Sequence, residues 1–341
     1  MRIEHDVALG PLTTLGIGGH ARRLVHVETL DELREALSTD DRVLVLGGGS
    51  NLVIGDDGFD GTVIRLAFHD RKWLLMEPPA MTVGAGVVWD DLVAEMVASG
   101  YAGIECLSGI PGLVGATPIQ NVGAYGQELS DVCLHVIAYD RDRRDLVSIA
   151  RKDCGFGYRT SMFRGSDRWV VCLVAITLTR SELSMPIRYA ELAKALGIAD
   201  GERAPLQQVR DTVIALRRGK GMVVDPADPE SRSAGSFFTN PLVDSAQLAE
   251  LARRLGEGVA FPSWPAERGL TKLSAAWLIE RAGFAKGFTV GNVGISSKHA
   301  LALVNRGGAT STELLALARQ IQATVHERFA IELAPEPIIV Q

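Results

Sequence analysis

Three side chains of this chain stand where chemistry is possible: Ser236, Arg159 and Glu336. Ser236 lies in Ala234-Gly-Ser-Phe-Phe-Thr-Asn-Pro241, between a glycine and two phenylalanines. Gly235 permits close backbone approach or an unusual dihedral. Phe237 and Phe238 can wall off water, and Asn240 is a fork of donor and acceptor. A serine in a dry, preorganised wall can transfer a proton when neighbouring groups lower the cost. By itself the octapeptide reads as a turn entering a strand with a buried aromatic pair. Arg159 sits in Cys154-Gly-Phe-Gly-Tyr-Arg-Thr-Ser-Met-Phe163, among glycine, aromatics and hydroxyls rather than in a charged run. A guanidinium there can clamp a carboxylate with two prongs. Glu336 stands between Pro335 and Pro337 beside an apolar strand, so its carboxyl is rigidly held. As a lone residue it still reads as structural.

The elements that must position these groups are rich in glycine. A short buried strand over 43–46 runs into Gly47-Gly-Gly-Ser-Asn51. Successive glycines let backbone N–H groups converge on an anion, and Ser50 and Asn51 add side-chain bonds. The motif is not GxGxxG, and no long helix with a suitably placed acid follows, which argues against a Rossmann unit. The loop reads equally as a tight turn in a β-rich domain. Residues 108–126 hold five glycines (Gly109, Gly112, Gly115, Gly123, Gly126) and two prolines, with almost no charge. Such a path exposes backbone donors to a ligand and suits a flat aromatic cofactor with a polar rim.

Periodicity predicts a helix over 89–99, with Leu92, Val93, Met96 and Val97 on one face and Gly100 past its end. Pro205 opens another, closed by Gly219. Arg217, Arg218 and Lys220 cluster at its end. They complement the helix dipole or form a phosphate site. Residues 169–178 read as an apolar strand, and 135–139 with 146–149 as a hairpin. A polar, proline-rich linker over 225–233 leads into the Ser236 segment. Residues 261–265 read as an aromatic loop, and a long helix over 312–329 takes Thr312 as its cap.

The chain has 341 residues, 47% hydrophobic and 22% charged, with a net charge of −6. That describes an ordinary globular protein of two or three domains. It excludes nucleic acid or an acidic membrane as the main partner, though not a local basic pocket. No apolar run reaches the roughly 18 residues of a membrane helix. The N-terminus has no basic start leading into an apolar stretch, so no signal peptide is expected. The four cysteines (Cys106, Cys133, Cys154, Cys172) form no CxxC pair and read as buried hydrophobes in a reducing compartment. The seven histidines show no ligand-like spacing with acids, so no metal site is expected.

Taken together these pieces resemble the UDP-N-acetylenolpyruvoylglucosamine reductase family. The resemblance runs over nearly the whole chain and in the family's order. It takes in the threonine-rich opening that ends Leu15-Gly-Ile-Gly-Gly19, then Leu46-Gly-Gly-Gly-Ser-Asn-Leu52 and residues 110–126. Gly157-Tyr-Arg-Thr-Ser161, Arg217-Arg-Gly-Lys220, the Ser236 octapeptide and Pro335-Glu336 complete it. The resemblance implies an α+β fold. An FAD-binding domain of the vanillyl-alcohol-oxidase (PCMH) type in two lobes is followed by a smaller α+β substrate-binding domain. The expected boundaries are 1–66 for the first lobe, joined by the terminal strand 331–341, then 67–204 for the second lobe and 205–330 for the substrate domain.

The same resemblance implies the site. Gly47, Gly48, Gly49, Ser50, Asn51, Pro111, Gly115, Ala116, Ile119, Gly123 and Arg217 would hold FAD non-covalently. Ser236 would donate a proton, while Arg159 and Glu336 would polarise the enolpyruvyl carboxylate and stabilise the enol-like intermediate. Tyr125, Tyr189, Lys220, Asn240 and Trp264 would contact substrate. Tyr189 resembles the loop tyrosine of the family's longer subtype, and Gln120-Asn121 fits that subtype. The chain departs from the pattern in three places: Trp264 stands where members often carry tyrosine, 221–232 is longer than in compact members, and Pro337-Ile-Ile follows Glu336 where some carry arginine.

The implied activity is NADPH-dependent reduction of UDP-N-acetylglucosamine enolpyruvate to UDP-N-acetylmuramate in peptidoglycan synthesis. The protein would be a cytoplasmic monomer without nucleic-acid or membrane partners. A different FAD-dependent sugar or alcohol oxidoreductase of the same fold is the alternative; Ser236, Arg159 and Glu336 together count against it, because alcohol oxidation needs a base rather than a proton donor. A catalytically silent flavin- or nucleotide-sugar-binding protein is a third reading.

Overall fold

The computed structural model describes residues 1–39, 41–256 and 258–341. Contacts divide the chain into two units. The first comprises Met1–Val7, Ala21–Gly49 and Asp60–Val223; the second comprises Ala8–His20, Ser50–Phe59 and Val224–Gln341.

The first unit is built on a five-stranded antiparallel sheet. Its order is Asp145–Ala150, Cys133–Asp140, Trp169–Thr177, Pro79–Gly84, Arg71–Met76. The predicted hairpin is present, with Val136 opposite Ile149. The predicted apolar strand is central, and it is hydrophobic on both faces because Val171, Val174 and Ile176 enter one apolar cluster while Val170 and Cys172 enter another. Helix Trp89–Ala98 buries Leu92, Val93, Met96 and Val97 in this core, and Gly100 follows it at φ +74°. Helix Leu206–Gly219 packs Val209 and Val213 against Ile187, Leu192 and Leu196. The segment 205–223, expected to open the substrate domain, therefore packs within the first unit. Gly219 ends inside that helix rather than beyond it.

A second sheet orders Arg2–Ala8, His20–Val27, Phe59–Leu66 and Val43–Val45. Val43–Val45 runs parallel to Phe59–Leu66 as the edge strand. It is half-buried rather than buried, because it has a neighbour on one side alone and Val45 faces outward.

The second unit packs helices Ser245–Leu255, Ala275–Arg281 and Ser311–Phe329 around one apolar cluster. Phe237, Phe238, Leu278, Ile321 and Val325 lie in it. The long helix is capped by Thr310, not Thr312. Thr310 accepts from Glu313 N–H, and the Glu313 carboxylate accepts from Thr310 N–H in a reciprocal box. Thr312 instead bonds the Asp56 carboxylate through its N–H and hydroxyl. The predicted aromatic loop is partly a strand: Ser263–Pro265 pairs with Thr271–Leu273 at a sheet edge, where a proline is tolerated. Ile338–Val340 pairs parallel to Leu52–Ile54.

The stretch 225–233 is not a linker. Asp228 caps the short turn Pro229–Ser231, Ser231 Oγ bonds the Asp225 and Asp228 carbonyls, and Glu230 is 8% exposed. Its polar side chains are spent on internal bonds. All four cysteines are buried free thiols, and burial drives the pKa of Cys172 up to about 12. Among the described residues no helix is long and apolar enough to cross a membrane, and no cluster of His, Cys, Asp and Glu could hold a metal ion.

Candidate active site

In the first unit the glycine-rich loops meet backbone to backbone. A Cβ on Gly48 would lie 2.7 Å from Gly112 Cα, and one on Gly115 would lie 2.5 Å from the Ala85 Cβ. Gly47 faces Ala116 at 3.6 Å. A side chain fits at neither Gly48 nor Gly115 without displacing its neighbour, so the loops can approach this closely only as glycine. The 108–126 loop is pinned to the helix start and sheet: Trp89 N–H bonds Gly112 O (3.0 Å) and Gly115 N–H bonds Ala85 O (3.0 Å). Asp90 accepts from Gly109 N–H (2.6 Å) and takes both prongs of Arg210.

Arg217 lies against this loop. Its Nε donates to Gly109 O (3.2 Å) and its Nη2 to Met222 O (2.9 Å). Among the described residues it has no carboxylate partner. Burial pulls its pKa down to about 10, which leaves it cationic at neutral pH. Asp90 attracts it only from beyond bonding distance, and a buried charge held by carbonyls alone is costly, so an anion would relieve it. A side-chain-free wall beside a buried cation fits the pyrophosphate of a dinucleotide cofactor. Gly47, Gly48, Gly49, Pro111, Gly115, Ala116, Ile119, Gly123 and Arg217 are the residues of this unit that would hold one.

Arg159 occupies a tight turn closed by Gly157 and Thr160, at φ +52°. Its Nη2 donates to Gly123 O (2.8 Å). The turn is docked onto the glycine-rich loop by Ser161 Oγ to Ile119 O (2.7 Å) and Asn121 Nδ2 to Gly157 O (3.3 Å). Tyr125, Tyr189 and Lys220 come together in the same unit. The two tyrosine rings meet edge to face at 5.4 Å, and Lys220 Nζ stands 5.5 Å over the Tyr125 ring. Lys220 also pairs with Glu191 at 2.6 Å. Burial raises the Tyr125 phenol to about 12, so it remains a neutral donor. Tyr189 is 43% exposed at the start of helix Ala190–Leu196.

In the second unit Ser236 follows Gly235, which adopts φ +71°. Phe237 and Phe238 are each 1% exposed and stack edge to face at 5.2 Å. They are the dry backing that the sequence suggested. Phe237 N–H bonds Leu301 O (2.7 Å), and Phe237 O accepts from Glu336 N–H (2.9 Å). Asn51 Nδ2 reaches Glu336 O at 3.4 Å. The serine segment, the Glu336 segment and the end of the 47–51 loop are thus joined by hydrogen bonds. Asn240 Oδ1 accepts from Ala275 N–H (3.0 Å), so its carbonyl is engaged at a helix start. Trp264 sits on the edge strand opposite Lys272, 47% exposed.

Sequence reasoning passed over His299. Its Nε2 lies 3.2 Å from Ser236 Oγ. The signal was faint: the histidines were weighed for metal spacing, and nothing in Ser-Ser-Lys-His-Ala points to a serine 63 positions earlier.

A domain model described as "FAD binding domain" matches residues 21–142. One described as "UDP-N-acetylenolpyruvoylglucosamine reductase, C-terminal domain" matches residues 226–340. The UDP-N-acetylenolpyruvoylglucosamine reductase of Thermobifida fusca (strain YX) is 53% identical over 347 aligned positions, covering 98% of this chain and 97% of the relative. The chain belongs to the UDP-N-acetylenolpyruvoylglucosamine reductase family. The same enzyme of Streptomyces coelicolor is 49% identical over 98% of this chain and 90% of its own length. A crystal structure of UDP-N-acetylenolpyruvylglucosamine reductase from Thermus caldophilus superposes with a TM-score of 0.70 at 28% identity, covering 100% of both chains. The fold is accordingly α+β, with an FAD-binding domain, and the chain is an oxidoreductase of that family.

Proposed function

We propose that this chain reduces the enolpyruvyl group of UDP-N-acetylglucosamine enolpyruvate to the lactyl ether, giving UDP-N-acetylmuramate for peptidoglycan. NADPH is the hydride source, and the reaction belongs where nucleotide sugars and NADPH are made, in the cytoplasm. The observation that carries this reading is the setting of Ser236: a hydroxyl backed by two buried phenylalanines, on a segment bonded to that of Glu336. Adding hydrogen across a double bond needs a proton donor, and a hydroxyl in that setting can be one.

Gly47, Gly48, Gly49, Gly115, Gly123 and Arg217 are among the residues that would hold FAD, which would supply the hydride chemistry for one carbon of the enol ether. Ser236 supplies the proton to the neighbouring carbon. Arg159 meets the negative charge that builds on the substrate carboxylate, an interaction that strengthens toward the transition state. Its left-handed turn and its bond to Gly123 hold the guanidinium in place before substrate arrives. Glu336 shares the stabilisation of the enol-like intermediate. Lys220 takes the diphosphate, exchanging Glu191 for it, while Tyr125 and Tyr189 offer phenolic donors beside it and Asn240 offers its amide. Trp264, exposed on its edge strand, would offer an aromatic contact to substrate.

Stopped-flow separation of the two half-reactions tests the reading. Wild-type protein reduced by NADPH should be reoxidised by the enolpyruvyl substrate. Ser236→Ala should keep flavin reduction nearly intact and lose reoxidation by at least about 100-fold. Equal loss in both half-reactions would sink the proton-donor role.

A further inference from the structure

A serine hydroxyl that gives up a proton becomes an alkoxide, a poor product unless a proton arrives as it leaves. The structure holds a group that can deliver one. His299 Nε2 lies 3.2 Å from Ser236 Oγ, and both residues are half-buried.

The two are held toward each other from several sides. Phe237 N–H, one residue past the serine, bonds Leu301 O, two residues past the histidine, at 2.7 Å. His299 O accepts from Ala302 N–H (3.1 Å), closing the turn that carries the ring. Ser297 N–H donates to Glu230 Oε2 (2.8 Å), and Lys298 Nζ to Asp228 Oδ2 (2.7 Å). Glu230 is itself paired with Arg306, whose Nη2 donates to Ile295 O (2.9 Å). Burial would raise the Glu230 carboxyl, but bonds from Ser296, Arg306 and Ser297 outweigh it and hold the group down at about 2. The brace therefore stays ionised across the working range of pH. The charged groups bonded to the histidine's turn are matched in pairs, Asp228 with Lys298 and Glu230 with Arg306. Glu336 stands on the segment bonded to Phe237. This gives the 225–233 stretch a purpose: it supplies Asp228 and Glu230, the two carboxylates that fix the turn.

We propose that His299 is the positioning and proton-relay residue for Ser236, resupplying the serine as it protonates the substrate. This rests on the reductase reading above. Ser236 Oγ–H gives its proton to the substrate carbon beside the one that receives hydride. In the same event the imidazolium Nε2–H passes its proton to Ser236 Oγ, and the serine is left neutral. The neutral imidazole then recovers a proton from solvent. One hydride and one proton are added across the double bond, and the solvent proton balances the step.

The test uses flavin-loaded protein in single-turnover half-reactions, with NADPH and then the enolpyruvyl substrate. His299→Gln keeps a polar atom near the Nε2 position but cannot carry a proton charge; His299→Ala removes both. Both variants should bind flavin and be reduced by NADPH as wild type is. Reoxidation should slow about 10-fold in His299→Gln and about 100-fold in His299→Ala. The wild-type reoxidation rate should fall on the alkaline side as the imidazolium is lost, and that limb should vanish in His299→Gln. A merely structural histidine would not carry the pH limb. If wild type turns over and Ser236→Ala does not, yet His299→Gln keeps both rate and pH limb, the relay is wrong and the reductase reading stands. If wild type fails to be reoxidised by the enolpyruvyl substrate, the reductase reading falls and the relay falls with it.

Discussion

The two units hold their candidate residues by different means. In the first, Asn121, Tyr125 and Arg159 adopt φ of +50°, +49° and +52°, a region few side chains occupy. They stand on loops whose glycines touch backbone to backbone. In the second, Ser236 and Glu336 hang on a mesh of hydrogen bonds backed by a dry aromatic core. Its left-handed non-glycine residues, Arg268 and Ala330, are not site candidates. Three of the first unit's five described left-handed non-glycine residues stand on its candidate loops, Asp6 and Arg144 lying elsewhere; the second keeps the Ser236 hydroxyl beside a left-handed glycine. A surface that must lie flat on a cofactor cannot spend side chains on support, so its backbone does the work. A residue that must move a proton needs partners, and these come from side chains.

The contrast predicts that the second unit fails when atoms are removed and the first when they are added. Phe237→Ala should cost about 3–5 kcal/mol, seen as a lower urea midpoint, because a fully buried ring leaves a cavity. Glu230→Ala should cost about 3 kcal/mol by stranding Arg306, whose Nε already has no partner among the described residues. The same carboxyl makes stability depend on pH. Its folded pKa is below the ordinary value, so its contribution is complete above about 4.5 and is lost as pH falls toward 2. Acid titration of wild type against Glu230→Gln should show the wild type losing more stability over that window. A parallel loss in both would remove Glu230 as the brace.

Gly115→Ala should cost about 1–3 kcal/mol, because the new methyl meets Ala85 Cβ at 2.5 Å with backbone behind it. Flavin content measured by absorbance should fall with it. A variant that keeps full flavin and stability would break the comparison. The smallest effect is a gain. Ala330 closes the long helix at φ +56°, where glycine is easier, so Ala330→Gly should raise stability by about 1 kcal/mol in a melting curve without touching either half-reaction.

Much of this was legible in the chain. The amphipathic helix over 89–98, the central strand over 169–177 and the terminal strand beside Glu336 followed from periodicity, because local burial sets those patterns. The cap at Thr310 was missed because two threonines flank the helix start and only reciprocity with Glu313 separates them. The 225–233 stretch looked like a linker because proline, serine and acids make both linkers and dense polar turns; Glu230 decides it by finding Arg306, 76 residues away. Trp264 was assigned to a loop, but its strand depends on Thr271–Leu273 for pairing. Arg217 was named, while its lack of a carboxylate was not, since an arginine's partners are set by packing rather than by neighbours in sequence. His299 is the clearest case of chemistry that only folding brings together.

The parallel pairing of Ile338–Val340 with Leu52–Ile54 has a consequence for anyone wishing to dissect the molecule. The second unit is drawn from three separate stretches of chain, so it is not a module that can be cut out. A fragment spanning 224–341 would lack the partner of its last strand, and the Leu15 carbonyl that receives Asn305 Nδ2. It would expose an unpaired strand edge of Ile338, Ile339 and Val340, an invitation to self-association. Cooperative unfolding of this unit therefore involves residues 8–20 and 50–59 as well as the C-terminal third, and grafting it onto another protein would require rejoining the three stretches in a new order.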